Sequence, residues 1–123
     1  MPLELGLFLA AKKFGDRSQR QKRCIILDRK PYRYQKFISD IAGQDIHSHD
    51  GKTAKLISEI ASWLREEFPE SIVPGGTAIA AEFKSFVKDV PQICAVKRLD
   101  PGEMTFQDYR KMAEKWIIAA SRP

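Results

Sequence analysis

The chain has 123 residues, 43% of them apolar, enough for one modest core and too few for several. No apolar run approaches the ~20 residues that a membrane span needs, and "LELGLFLAA" lacks the basic segment that precedes a secretory core. These features exclude a spanning segment and predict a cytoplasmic protein with no membrane partner. Net charge is +5, but residues 12 to 36 hold ten Lys/Arg against Asp16 and Asp28, a local +8 that leaves −3 for the rest.

Leu3, Leu7, Ala10 and Phe14 share one helical face, while Leu5, Phe8 and Leu9 cover the flanks. The spacing predicts a helix over about 3–14 that is apolar nearly all round and needs cover on several sides. Gly15 ends it, and "GDRSQRQKR" reads as a polar loop. "RCIILD" predicts a strand buried on both faces, as in a parallel sheet. Tyr34, Phe37, Ile38 and Ile41 predict a short helix near 32–42, and "QDIHSH" a second short strand, which completes a β-α-β order.

From Lys52 to Phe68, Leu56, Ile57, Ile60, Ala61, Trp63 and Leu64 mark an amphipathic helix with Asp50 as its expected cap. "PESIVPGG" is turn-rich. Ile79, Phe83, Phe86, Val87 and Val90 then predict a helix that closes near Pro91, followed by a short apolar piece, "QICAV". Asp100 before Pro101 is a helix-start signal, and Thr105 with Asp108 forms a capping-box pattern ahead of a stripe of Tyr109, Met112, Ala113, Trp116, Ile117 and Ala120.

The expected fold is therefore α/β and mainly helical, with a small parallel sheet that reads as incomplete. Its divisions are a partial α/β unit at 1–68, a linker at 69–76 and a C-terminal helical extension at 77–123 packed on that unit. Two short strands leave open edges. The missing partners are expected either from a second copy, as a homodimer, or from an N-terminal segment of a larger domain.

Cys24 and Cys94 lie in apolar surroundings without metal spacing and read as buried reduced thiols. "HSHD" places His47 and His49 on one strand face beside Asp50, but no third ligand is identifiable and no metal site is assigned. Trp63 and Trp116 fall on helical apolar stripes and read as core. The basic stretch, with Tyr32 and Tyr34, suits phosphate contacts and base stacking. Helix-turn-helix, RNP and KH signatures are absent, so nucleic-acid binding stands as a competing class. A non-catalytic protein-interaction domain, acting through the exposed part of the first helix, is the third.

The apolar helix carrying "ELG", the basic loop, the "KRCIILD" strand and "PYRYQKFISDIAGQDI" together resemble the second half of nucleoside 2-deoxyribosyltransferases and of bacterial TIR-like NAD-cleaving domains, over roughly residues 2–66. The resemblance implies a nucleotide- or NAD-handling domain that in complete form acts on an N-glycosidic bond. In those families a helix glutamate acts on the anomeric carbon of a ribose, and Glu4 is the matching position. Glu4 is the only such match; Arg29, Tyr32 and Arg33, in the basic stretch, are the candidates to attract the ligand's phosphates. The chain departs from the families in having neither their preceding strands nor a Gly-rich phosphate loop, so it is expected to show no turnover by itself. Taken on its own residues, Glu4 is equally a first-turn carboxylate that complements the helix dipole.

Overall fold

The first helix, α1 (Pro2–Phe14), begins with a proline whose fixed φ suits a first turn, and carries Glu4 near its positive end and Lys12 and Lys13 near its negative end. It stops at Gly15, whose N–H donates to the Ala11 carbonyl at 2.8 Å. A Cβ on Gly15 would collide with that same carbonyl and with the Gln19 side chain, so only glycine fits the exit. These contacts come from a computed structural model, which describes residues 2–31, 33 and 46–121. The sequence read as a polar loop after Gly15 contains one further helical turn, α2 (Arg17–Arg20). Asp16 caps it by accepting from the Gln19 N–H at 3.0 Å, and the Arg20 Nε donates to the Gly15 carbonyl at 3.1 Å.

Both predicted strands form and pair in parallel. β1 (Ile26–Asp28) and β2 (Ile46–Ser48) match Ile26 to Ile46, Leu27 to His47 and Asp28 to Ser48. The His49 N–H extends the ladder to the Asp28 carbonyl at 3.0 Å. The strands are half-buried throughout, not covered on both faces as the apolar run suggested. The helix expected near 32–42 lies, apart from Arg33, outside the described residues.

After β2 the chain reverses through His49-Asp50-Gly51-Lys52. The φ angles of Asp50 and Gly51 are +53° and +73°, and the Lys52 N–H donates to the His49 carbonyl at 2.8 Å, the geometry of a type I′ turn. Asp50 is thus a turn residue and does not cap α3 (Thr53–Glu67); Lys52 occupies the cap position and offers no side-chain bond. The ion pair of Arg23 with Glu67, 3.0 Å, ties the approach to β1 to the far end of α3, so α3 runs antiparallel to the strands. Trp63 stacks edge-on against Phe68 with ring centroids 6.2 Å apart. Gly76 is buried, and a Cβ there would stand 2.6 Å from the Ser58 Cα, so a close backbone approach explains this glycine; neighbouring Gly75 faces open space.

The chain divides into two units, Met1–Thr77 and Ala78–Pro123. In the second, Phe86, Cys94 and Met112 form the buried centre, ringed by Val90, Ile93, Leu99, Met104, Tyr109, Ala113 and Trp116. Phe86 meets Tyr109 and Trp116 edge-on at 5.4 and 5.7 Å. Trp116 is a packing residue, as its stripe predicts, and satisfies its Nε1–H on Asp89 at 2.9 Å.

α4 (Gly76–Lys97) continues through Pro91 and absorbs "QICAV", against the expectation of a stop there. Ile93 and Cys94 are needed in the core one and two turns beyond Phe86 and Val90, and burying them outweighs the hydrogen bond that Pro91 cannot donate. The helix ends instead at Arg98, in the left-handed region at φ +52°. The Leu99 N–H bonds the Cys94 carbonyl at 3.0 Å and the Arg98 N–H bonds that of Ala95 at 3.1 Å, a Schellman motif completed by Leu99 packing on the core. Asp100 starts a short 3-10 helix (Pro101–Glu103) by accepting from the Gly102 N–H at 2.7 Å. The capping box forms as predicted and opens α5 (Phe106–Ala120): Asp108 N–H donates to Thr105 Oγ1 at 3.2 Å, and Thr105 N–H to Asp108 Oδ2 at 3.1 Å. Among the described residues no helix is long and apolar enough to cross a membrane.

Candidate functional site

Parallel strands deliver their following loops, and the N-terminus of the next helix, to one end of the sheet. At that end Asp28 closes β1 with its side chain only 13% exposed. Its Oδ1 accepts from the Arg29 N–H at 2.6 Å and from Arg33 Nη2 at 2.9 Å, and its Oδ2 accepts from Arg33 Nε at 3.3 Å. The Arg33 fork is therefore held in a bidentate grip, with its charge still half-exposed to the rim. The Arg29 guanidinium takes no ion pair among the described residues. Its Nε lies 3.2 Å from where a Cβ on Gly51 would stand, so the turn after β2 is surfaced by the cation that follows β1.

From the β2 side, Lys55 projects from the first turn of α3 to Asp50 Oδ2 at 2.7 Å, with Ser48 Oγ at 3.5 Å. The hydrogen bond from Lys55 holds the Asp50 carboxyl below its usual range. The Leu56 N–H bonds back to the Lys52 carbonyl at 3.0 Å, so the preceding N–H groups of Thr53, Ala54 and Lys55 point out of the uncapped helix start, toward its positive end.

The two histidines take separate roles. His49 Nδ1 accepts from the Gly51 N–H at 3.2 Å, which leaves the proton of a neutral ring on Nε2. His47 Nδ1 meets Glu59 Oε2 at 2.6 Å across the strand-helix interface. Among the described residues no three His, Cys, Asp or Glu side chains are grouped to hold a metal ion. Cys24, read from sequence as buried, is exposed at the charged approach to β1, whereas Cys94 is buried; both are free thiols.

The structure thus brings Arg29 and Arg33 to the same strand end, around Asp28 and Gly51. Tyr32 lies outside the described residues. Glu4 sits on the exposed first turn of α1, where the chain's amino-terminal ammonium, and then its own backbone N–H, lower its carboxyl below the usual range. Sequence reasoning missed Asp28 as the anchor of Arg33 and Lys55 as a rim cation. The Asp50-Gly51 pair was the available signal for the turn, since both positions of a type I′ turn need φ above zero. No family model, curated protein or solved structure matches the chain.

Proposed function

We propose that the first unit is a cytoplasmic nucleotide- or NAD-handling domain whose ligand phosphates sit at the C-terminal ends of β1 and β2. The observation that carries this reading is the convergence of cations from both strand exits on one rim. Arg29 and Arg33 arrive from β1, and Lys55 with the open N-terminus of α3 arrives from β2. Guanidinium forks and unbonded backbone N–H groups suit phosphate oxygens, and Asp28 orients one fork before any ligand arrives. Free thiols at Cys24 and Cys94 suit a reducing compartment.

The catalytic part of the proposal is that in complete form such a domain cleaves an N-glycosidic bond, with Glu4 stabilising or capturing the ribosyl cation, while this chain by itself shows no turnover. It is supported by the sequence pattern around "ELG" and by the chemistry of a carboxylate beside a developing positive charge. Calorimetric titration of the whole chain with NAD and with ATP tests the binding. A dissociation constant below 1 mM is expected, weakened about tenfold in Arg29→Ala and in Lys55→Ala, as each removes a charge-assisted contact. Raising salt from about 50 to about 200 mM should cost tenfold or less, whereas a nucleic-acid module making six or more phosphate contacts would lose roughly a thousandfold. No binding of either ligand overturns the proposal. In a complete form that cleaves NAD, Glu4→Gln should lower the rate by orders of magnitude at unchanged affinity.

A further inference from the structure

Gly51, the second central residue of the reversal after β2, has two side chains against its bare backbone. The Arg29 guanidinium is one, its Nε 3.2 Å and its Nη2 3.6 Å from where a Cβ would stand. The His49 imidazole is the other, its Nδ1 accepting from the Gly51 N–H at 3.2 Å. That bond spends the ring's acceptor on the protein itself, so the neutral ring carries its proton on Nε2, at its far edge, where it can only donate. The ring is half-buried, yet among the described residues no hydrogen bond uses this N–H. Both carboxylates of the rim, Asp28 and Asp50, are already answered by Arg33 and Lys55 at 2.9 and 2.7 Å, so the unspent donor stands among side chains that are cationic or already paired.

We propose that His49 is a further ligand-binding residue of the strand-end rim, its Nε2–H donating to a phosphate oxygen of the nucleotide beside the Arg29 guanidinium. The assignment rests on the nucleotide reading above and gives the imidazole a role distinct from that of the cations. Arg29 and Lys55 attract an anion from a distance, whereas an uncharged N–H rewards only a short, aligned contact. His49 therefore fixes the orientation of the phosphate that the cations draw in. The Gly51 N–H holds the ring in the donating tautomer before any ligand arrives, since the hydrogen bond made by one ring nitrogen sets the proton on the other. His47 is not equivalent: its Nδ1 is committed to Glu59 at 2.6 Å in the strand-helix interface.

The chain has two histidines, so nitrogen-15 spectra of the histidine-labelled whole chain, with His49→Ser to identify the His49 signals, read the tautomer directly. At about pH 8, where an ordinary imidazole is neutral, His49 should carry its proton on Nε2, and saturating ATP or NAD should move the Nε2 resonance far more than that of Nδ1. His49→Ser keeps an oxygen that accepts from the Gly51 N–H and removes the outward donor. Its affinity for ATP and for NAD in calorimetric titration should fall about tenfold at an unchanged melting temperature, the loss of one hydrogen bond to a charged group. If that variant unfolds, the wild-type Nε2 response decides. A proton on Nδ1, an Nε2 resonance unmoved by bound nucleotide, or a folded His49→Ser that binds like the wild type overturns the role of His49 and leaves the nucleotide reading standing. A wild-type chain that binds neither ATP nor NAD overturns both.

Discussion

Arg98 holds φ at +52°, a conformation in which an L side chain crowds its own backbone by roughly 1–2 kcal/mol and glycine does not. Its place at the turn of the Schellman motif makes Arg98→Gly a stabilising change. The variant should gain about 1 kcal/mol in urea unfolding, because the two closing hydrogen bonds are made by backbone and survive the substitution. Asp108 offers a test in acid. Hydrogen bonds from Thr105, side chain first and then backbone, hold its carboxyl below the ordinary 3.8. A depressed folded value means that the carboxylate's contribution is complete above the unfolded value and disappears as pH falls through the folded one. The melting temperature should therefore drop more steeply below about pH 4 in the wild type than in Asp108→Asn. Equal slopes would show that the capping box carries no acid-sensitive stability.

Pro91 shows how a strong local signal loses to an element's packing. A proline in a helix interior costs roughly 3 kcal/mol, and read in isolation it ends the helix. Yet the turn beyond it supplies Cys94, 1% exposed, to the core. Pro91 itself is exposed, so Pro91→Ala should restore the missing hydrogen bond without disturbing packing and raise stability by roughly 1–3 kcal/mol. Chemical denaturation of the two proteins side by side measures the difference. The start of α5 was legible because a capping box lies wholly within four consecutive residues. The continuation of α4 was not, because its cause is residues from a distant helix.

Across the molecule the fully buried apolar set is small: among the described residues it comprises Ala61, Phe86, Cys94 and Met112. Three of these four belong to the second unit, where aromatic rings packed edge-on around Phe86 make up for limited depth. A core this thin has few neighbours that can collapse into a void. Met112→Ala should therefore cost about 2–5 kcal/mol and be visible as a large drop in the urea midpoint. The candidate site depends on the other unit, whose cations come from strand exits that lie about 20 residues apart in sequence and are brought together by the parallel pairing.

What the sequence determined by itself was whatever short-range chemistry decides. This includes the apolar helices, the parallel pair with "RCIILD" and "QDIHSH" as its strands, and the Thr105–Asp108 start of α5. Periodicity and capping act within a few residues, so their outcome is written locally. Only the tertiary structure decided which face of α1 is left exposed, that Cys24 lies outside and Cys94 inside, and that α4 overrides its proline. It alone joined Arg33 to Asp28 and laid Arg29 over Gly51. Those outcomes depend on which distant surfaces meet, and burial and ion pairing between residues remote in sequence leave no periodic mark in the chain.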